Sequence, residues 1–552
     1  MAEYPTKVDQ IVAGPEIDYS IYGGSFHLRE LSLHSPSNPS VVQFNSAGVF
    51  IELNIFEDLF SNVLKGTFVF VDNQGIAETF PIIGDETLVL SFHMPGVEDP
   101  KPDTLESGTR AENIIKQRFK VYDCVEVETE ERAKFYKLFF VSEEYVFSTK
   151  MKISKGYKGW TYDKIVKNVM TKLNKNIDAD NQKKVYIEKT ATPQNVIIPN
   201  WTPFQAINFC ASRSLSNNSA VLSQGGSGKD QKPFAAGSIF VLYEKLGTGF
   251  FYESIESMII HQKTQKDIPL YLYAPKTAEG LGHNVERDFF GVEKYEVKSS
   301  FKTLENLGMG MYGSRLIAYD PIRMKYDEVK YDYYKKEKNS VTQTRNPHTD
   351  AVKEKPEPSQ AKDDSTRIFA DFIATDIDPT ERTQNKLIST NSEYLGSNDA
   401  SINLATTTKN HDAMFIAPSS EYDEDGEFIG FLSTSIGVTK KTFQDPEAKS
   451  NRVENWLLQR KMQLQEFGNI IVNFTVPGNS SRHVGDLIQF ELPTMIPPDA
   501  TDNMSSIDIG HQLYSGYYLI SKIRHSITPN RYETDMELIK NSFAKRIPGQ
   551  NE

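Results

Sequence analysis

Over most of the first 150 residues, apolar and polar positions follow the twofold period of β-strands. Val49, Ile51, Leu53 and Ile55 interleave with Phe50, Glu52, Asn54 and Phe56, as in a half-buried strand. Phe68-Val69-Phe70-Val71 runs into Asp72-Asn73-Gln74-Gly75, a turn signal. Leu88, Leu90 and Phe92 alternate before Pro95-Gly96, and Tyr136, Leu138 and Phe140 mark another strand. This stretch predicts antiparallel β-structure.

The period then changes. Tyr162, Ile165, Val166, Val169, Met170 and Leu173 fall on one stripe of a helix, with Thr161 as its expected N-cap. A second helix is predicted from Thr202-Pro203-Phe204-Gln205, where Thr202 and Gln205 have capping-box spacing and Pro203 fits the first turn. A third is expected from Asp445-Pro446-Glu447 through Val453, Trp456, Leu457, Leu464 and Phe467 to Gly468. Beyond it, Ile470, Val472, Phe474 and Val476 restore the strand period, followed by Tyr517, Leu519 and Ile523 and by Tyr532, Thr534, Met536 and Leu538.

The two ends echo each other. Gly84-Asp85 precedes Thr87–Phe92 and Pro95, and Gly485-Asp486 precedes Leu487–Phe490 and Pro493. The aromatic-led strand from Tyr136 pairs in this reading with that from Tyr518, and Thr149–Ser154 with Thr534–Ile539. Two polar stretches interrupt the pattern, Gln224–Asp230 and Lys335–Asp364. The second holds too few apolar residues to offset its ordering entropy and is expected to be a linker or exposed insertion. The fold expected is α+β and mostly β, with two tube-like antiparallel β-barrels flanking a mixed α/β middle. Its parts are a first barrel over 1–150, a middle region over 151–334, a polar insertion over 335–444, and a helix with the second barrel over 445–552.

Composition narrows the function. The 552-residue chain carries a net charge of −13, which argues against tight sequence-independent binding to nucleic acid. No apolar run approaches the roughly 20 residues that cross a bilayer, and the N-terminus lacks a secretory signal pattern. Its two cysteines, Cys124 and Cys210, read as small buried hydrophobes in a reducing compartment.

Catalytic motifs fail on context. Gly308–Gly313 has the form G-x-G-x-x-G, but a helix-like stretch precedes it and a strand-like one follows, the reverse of a dinucleotide site. Gly225–Asp230 lacks the first glycine of a phosphate-binding loop, and Asp423–Glu427 lacks the distal glutamate of a calcium loop. The ten histidines are scattered singly. The expectation is no catalytic residue, no cofactor and no metal.

Several segments resemble a known family. Ile55–Phe60, Leu64–Asp72 and Pro81–Glu86 are similar to the N-terminal barrel of baseplate hub proteins from contractile-tailed phages. Asn200–Ile207, Ile239–Glu244, Gly249–Ser254 and Met311–Leu316 resemble their middle, and Val476–Asn479, Val484–Ile488 and Gly516–Ile520 with Arg524-His525 their closing barrel. That family shares its fold with the N-terminal regions of secretion-system spikes. The resemblance implies a non-enzymatic homotrimeric ring in the tail baseplate of a virion, assembled in the host cytoplasm. Its partners would be the central spike, the tail tube or tube initiator, and baseplate wedge proteins, with DNA only in transit and no membrane.

Two acidic strands are candidates for the channel wall: Glu126, Glu128 and Glu130, and Glu533, Asp535 and Glu537. Alternation places acids on one strand face, where like charge would let DNA pass without sticking, although a plain solvent face is the simpler alternative. Rival readings are a cell-wall-degrading enzyme carried on a hub, a secretion-system spike component, and an unrelated β-rich binding module such as a sugar-binding protein.

Overall fold

In the computed structural model, the described residues are 24–36, 40–44, 49–73, 75–80, 82–98, 112–130, 133–191, 193–217, 238–264, 268–273, 290–300, 302, 305, 309, 313–320, 325–332, 412–416, 420–422, 428–431, 457–468, 470–492 and 514–540. The two polar stretches and the start of the third expected helix lie outside them. The class is α+β and mostly β, as expected.

The N-terminal part is β1 (His27–His34), β2 (Val41–Gln43), β3 (Phe50–Asp58), β4 (Lys65–Asp72), the short α1 (Ile76–Thr79), β5 (Thr87–Glu98), β6 (Glu112–Glu130) and β7 (Ala133–Ser142). The middle is α2 (Glu143–Lys150), β8 (Ile153–Trp160), α3 (Tyr162–Asn174), β9 (Lys184–Ile187), β10 (Gln194–Trp201), α4 (Pro203–Ala211), β11 (Phe240–Lys245), β12 (Gly249–Ser254) and α5 (Ile255–Thr264). Then come β13 (Leu270–Tyr273), β14 (Gly291–Val292), β15 (Lys294–Ser300), β16 (Gly313–Asp320), β17 (Lys325–Asp332), β18 (Asp412–Ile416), β19 (Ser420–Tyr422) and β20 (Phe428–Phe431). The chain closes with α6 (Leu457–Glu466), β21 (Ile470–Pro477), β22 (Leu487–Glu491), β23 (Gly516–Thr528) and β24 (Arg531–Lys540).

Helix boundaries follow local chemistry. α3 starts at Tyr162 and buries the predicted stripe, but the Thr161 hydroxyl makes no capping bond. α4 has the full capping box: Thr202 Oγ1 accepts from Gln205 N, and Gln205 Oε1 accepts from Thr202 N. The stripes of α3 and α4 join β8, β10, β11 and β12 in one core that includes Ile165, Val169, Ile207 and Tyr252.

The sheet topology repeats. The N-terminal strands pair in the path β2-β1-β5-β6-β7-β4-β3. The C-terminal strands pair in the path β14-β13-β22-β23-β24-β21-β15. One irregularity coincides as well. In β6–β7, Lys120↔Val141 and Val121↔Phe140 are followed by a bulge and then Asp123↔Phe139. In β23–β24, Leu519↔Ile539 and Ile520↔Leu538 are followed by a bulge and then Lys522↔Glu537. The units also differ: β13 runs parallel to its neighbours, whereas β1 runs antiparallel to its own, and β6–β7 has a second bulge absent from β23–β24.

The Gly-Asp turns occupy the same place in both paths. Gly84 and Gly485 have φ of 92° and 84°, a left-handed conformation that side chains disfavour. The carbonyl of Glu86 accepts from Val121 N on β6, and that of Asp486 accepts from Ile520 N on β23. The echo expected from sequence is therefore offset by one strand. β7, which contains Tyr136, corresponds to β24 and not to the Tyr518 strand, while Thr149–Ser154 spans the end of α2 and the start of β8.

Three strands from residues assigned by sequence to the middle region complete the C-terminal sheet. β13, β14 and β15, from residues 270–300, bond to one another or to β22 and β21. β18 pairs with β16 across the expected boundary at 334. Strand partners separated by about two hundred residues leave no mark on local periodicity. Antiparallel pairing of β23 with β3 fuses the two paths into one 14-stranded sheet.

Candidate functional site

The joint between the two sheets holds a cluster of buried charge. Successive residues of a strand point to opposite faces, and β11 uses this to grip both halves. Glu244, at 1% exposure, accepts from Leu64 N, Ser142 Oγ and Gln117 Nε2 of the N-terminal half at 3.0, 2.6 and 3.0 Å. Lys245 reaches the C-terminal half, with Nζ 3.3 Å from Asp486 Oδ1. Burial works against the Asp486 carboxylate, but Lys245, His483 with its backbone N–H, and Arg482 together outweigh it and hold the carboxyl below its usual range.

At the seam itself, Glu57 of β3 is fully buried. Its carboxylate accepts from Leu246 N at 2.9 Å and Val484 N at 3.2 Å, with His483 Nδ1 at 3.1 Å and His525 Nε2 at 3.4 Å. Burial pushes its acidity down, and the two imidazoles reverse that, leaving the carboxyl well below the ordinary carboxylate range. Buried acids need such partners, so this cluster positions β3, β23 and the two loops.

The exposed side of the same joint carries the C-terminal acidic triplet. Arg524 on β23 donates to Asn54 Oδ1 at 2.8 Å and to Glu52 at 2.9 Å, and lies 3.4 Å from Asp535. Glu537 is held by Lys522 at 2.9 Å and Lys298 at 3.3 Å, and Glu533 by Arg531 at 2.9 Å. Arg531 also pairs with Glu293. Glu533, Asp535 and Glu537 therefore lie together on one face, each beside a cation.

Of the N-terminal triplet, Glu126 does not join them. Glu126 is exposed and lies opposite Tyr136, on the sheet face shared by Cys124 and Leu138; Tyr136 Oη donates to it at 3.4 Å. Following cross-strand partners from Asp535 through Arg524, Phe56, Lys65 and the rest of β4 to Lys137 leads to Val125, the opposite face from Glu126. A bulge between Glu126 and Glu128 then shifts register, so that Glu128 opposes Phe135 and Glu130 opposes Ala133. The alternation did not separate buried from exposed positions either, since Val125 and Val127 are 44% and 59% exposed. The buried acids Glu57, Glu244 and Asp486 were missed by sequence reasoning. Glu57 had a legible signal, an acid at the inward phase of the strand after Leu53 and Ile55.

No family model matches the chain, and no curated protein sequence matches it. Among solved structures, it is similar to a 43 kDa tail protein of prophage MuSo2 from Shewanella oneidensis. That match has 10% identity and a TM-score of 0.40, covering 94% of this chain and 100% of the other. A tail protein from Neisseria meningitidis MC58 matches with 8% identity and a TM-score of 0.43, covering 94% and 97%. An Escherichia coli component of the type VI secretion system matches with 9% identity and a TM-score of 0.32, covering 95% and 78%.

Proposed function

We propose that the protein is a non-enzymatic structural component of a phage tail baseplate, a hub whose copies form a three-membered ring. The observation that carries this reading is the repeated strand path, whose two units stand side by side through β23 and β3. Three copies of a chain with two similar units present six units around an axis. Such a ring adapts a three-fold spike on one side to a six-fold tube on the other, and its remaining edges meet baseplate wedge proteins.

DNA is a passenger in this reading. The channel wall is assigned to the face with Lys522, Arg524, Glu533, Asp535 and Glu537, where cations and carboxylates neutralise one another. A basic lining would release counterions from DNA and hold it, and a mixed lining avoids that. Solution mass tests the oligomer: the full chain should run at three times its 62.6 kDa mass. A monomer at micromolar concentration contradicts the ring. Hydrolysis of purified cell wall by the protein would favour the rival tail enzyme.

A further inference from the structure

The intramolecular joint has an unfilled counterpart in each half of the sheet. In the C-terminal path, β23 has two consecutive neighbours along one side. β22 covers Gly516–Leu519, and after the bulge β3 covers Lys522–Ile527. Its equivalent, β6, has the first neighbour only. β5 covers β6 as far as Lys120, and among the described residues no strand pairs with that side of β6 beyond it. The buried pattern of the filled joint is lost accordingly. Ile523 and His525 on β23 are at most 1% exposed, whereas Cys124 and Glu126, at the same positions of β6, are half-buried and exposed, and Tyr122, Val125 and Val127 beside them are 54%, 44% and 59% exposed.

The complementary half is open as well. β3 lies between β4 and β23, but its equivalent β15 pairs with β21 alone among the described residues. Lys294, Glu296 and Lys298 on β15 are exposed, and Val297 packs at the rim of the C-terminal core. A long edge with exposed apolar residues invites another strand. Within the chain, the matching edge of β23 is covered by β3, the strand to which β15 corresponds.

We infer that the β15 edge of one copy pairs antiparallel with the β6 edge of a second copy, beyond the β6 bulge, repeating the β3–β23 joint between molecules. This rests on the ring reading above and names the surfaces that make it. The register follows from the internal joint, where His525 lies opposite Ile55. Glu126 occupies the His525 position. The first pairs beyond the two bulges are Asp123↔Phe139 and Lys522↔Glu537, and three residues further along lie Glu126↔Tyr136 and His525↔Thr534. Val297 occupies the Ile55 position. Ile55 opposes Gly66 and Gly66 opposes Phe140, while Val297 opposes Val472 and Val472 opposes Leu538. Phe140 and Leu538 are themselves equivalent, as partners of Val121 and Ile520 just before the bulges. Glu126 of one copy is therefore set opposite Val297 of the next. Because the two edges differ, the contact is head-to-tail, the kind that closes into a ring when its rotation allows.

Cross-linking tests it in the full chain with Cys124→Ser as background. Glu126→Cys combined with Val297→Cys places the two thiols on directly opposed positions, where Cβ atoms stand about 4.5–5.5 Å apart. Mild oxidation should convert most of the protein to a covalent oligomer that reducing agent dissolves. Val125→Cys with Val297→Cys, one position out of phase, should give at most about a tenth as much, because adjacent strand residues face opposite ways. Hydrogen exchange on the unmodified chain gives a second reading. Amides of residues 122–127 and 294–300 should slow at least about tenfold on assembly. A ring of normal mass with neither cross-link nor slowed exchange overturns the inference and leaves the ring standing. A chain that stays monomeric overturns both.

Discussion

Glu57→Ala is the perturbation with the most calculable effect. The carboxylate accepts from the Leu246 and Val484 amides at 2.9 and 3.2 Å in a site with almost no solvent exposure. Each buried amide left without a partner costs about 1–3 kcal/mol. The two imidazoles also lose their anion, so the joint should weaken by about 3–5 kcal/mol, the range for breaking a buried pair. A chain of several units does not unfold in two states, so the effect is best read locally. Hydrogen exchange at Leu246 and Val484 should accelerate by about a hundredfold or more, since about 1.4 kcal/mol corresponds to tenfold. The pH dependence has a definite sign. The Glu57 carboxyl is held below its usual value of 4.5, so its contribution is complete above that value and shrinks as pH falls from it. The difference between wild type and variant should therefore narrow as pH falls from 4.5. Unchanged exchange at both amides would refute the reasoning.

Gly66→Ala would put a Cβ 2.2 Å from Phe140 Cζ and 2.4 Å from the Asn54 carbonyl, and should lower stability by about 1–3 kcal/mol in thermal unfolding. Lys540 is fully buried, donates to the Ser515 carbonyl at 2.8 Å, and is pushed by burial down to about 7. Stability lost to that desolvation returns as pH rises from 7 towards 10.5, so Lys540→Met should raise the Tm at pH 7 and have progressively less effect by about pH 10. Deleting residues 335–364, expected to be a peripheral linker, should leave the Tm nearly unchanged.

Local physics was legible where one segment sufficed. The stripe of α3 and the capping box of α4 follow from spacing alone, and the strands around Leu53, Phe68 and Phe474 follow from alternation. Partner choice was not legible. β3 meets β23 from the far end of the chain, and no property of Leu53 or Ile55 names Ile527 or His525 as neighbours. The internal echo was visible at the Gly-Asp turns but aligned one strand out. β6 carries Lys116, Arg118, Lys120, Asp123 and Glu126, so it reads as polar beside its apolar counterpart β23. The acidic triplets looked alike because each alternates, yet Glu533, Asp535 and Glu537 lie beside basic residues on a shared face while Glu126 takes the opposite one. A bulge, invisible to periodicity, separates Glu126 from Glu128.

A ring built from repeated units is tested most directly by electron microscopy of the purified full chain, averaged without imposed symmetry. End-on views should show three copies around a central hole and an inner wall divided into six similar units. Compact monomers, open filaments, or a ring whose inner wall shows only three units would contradict it.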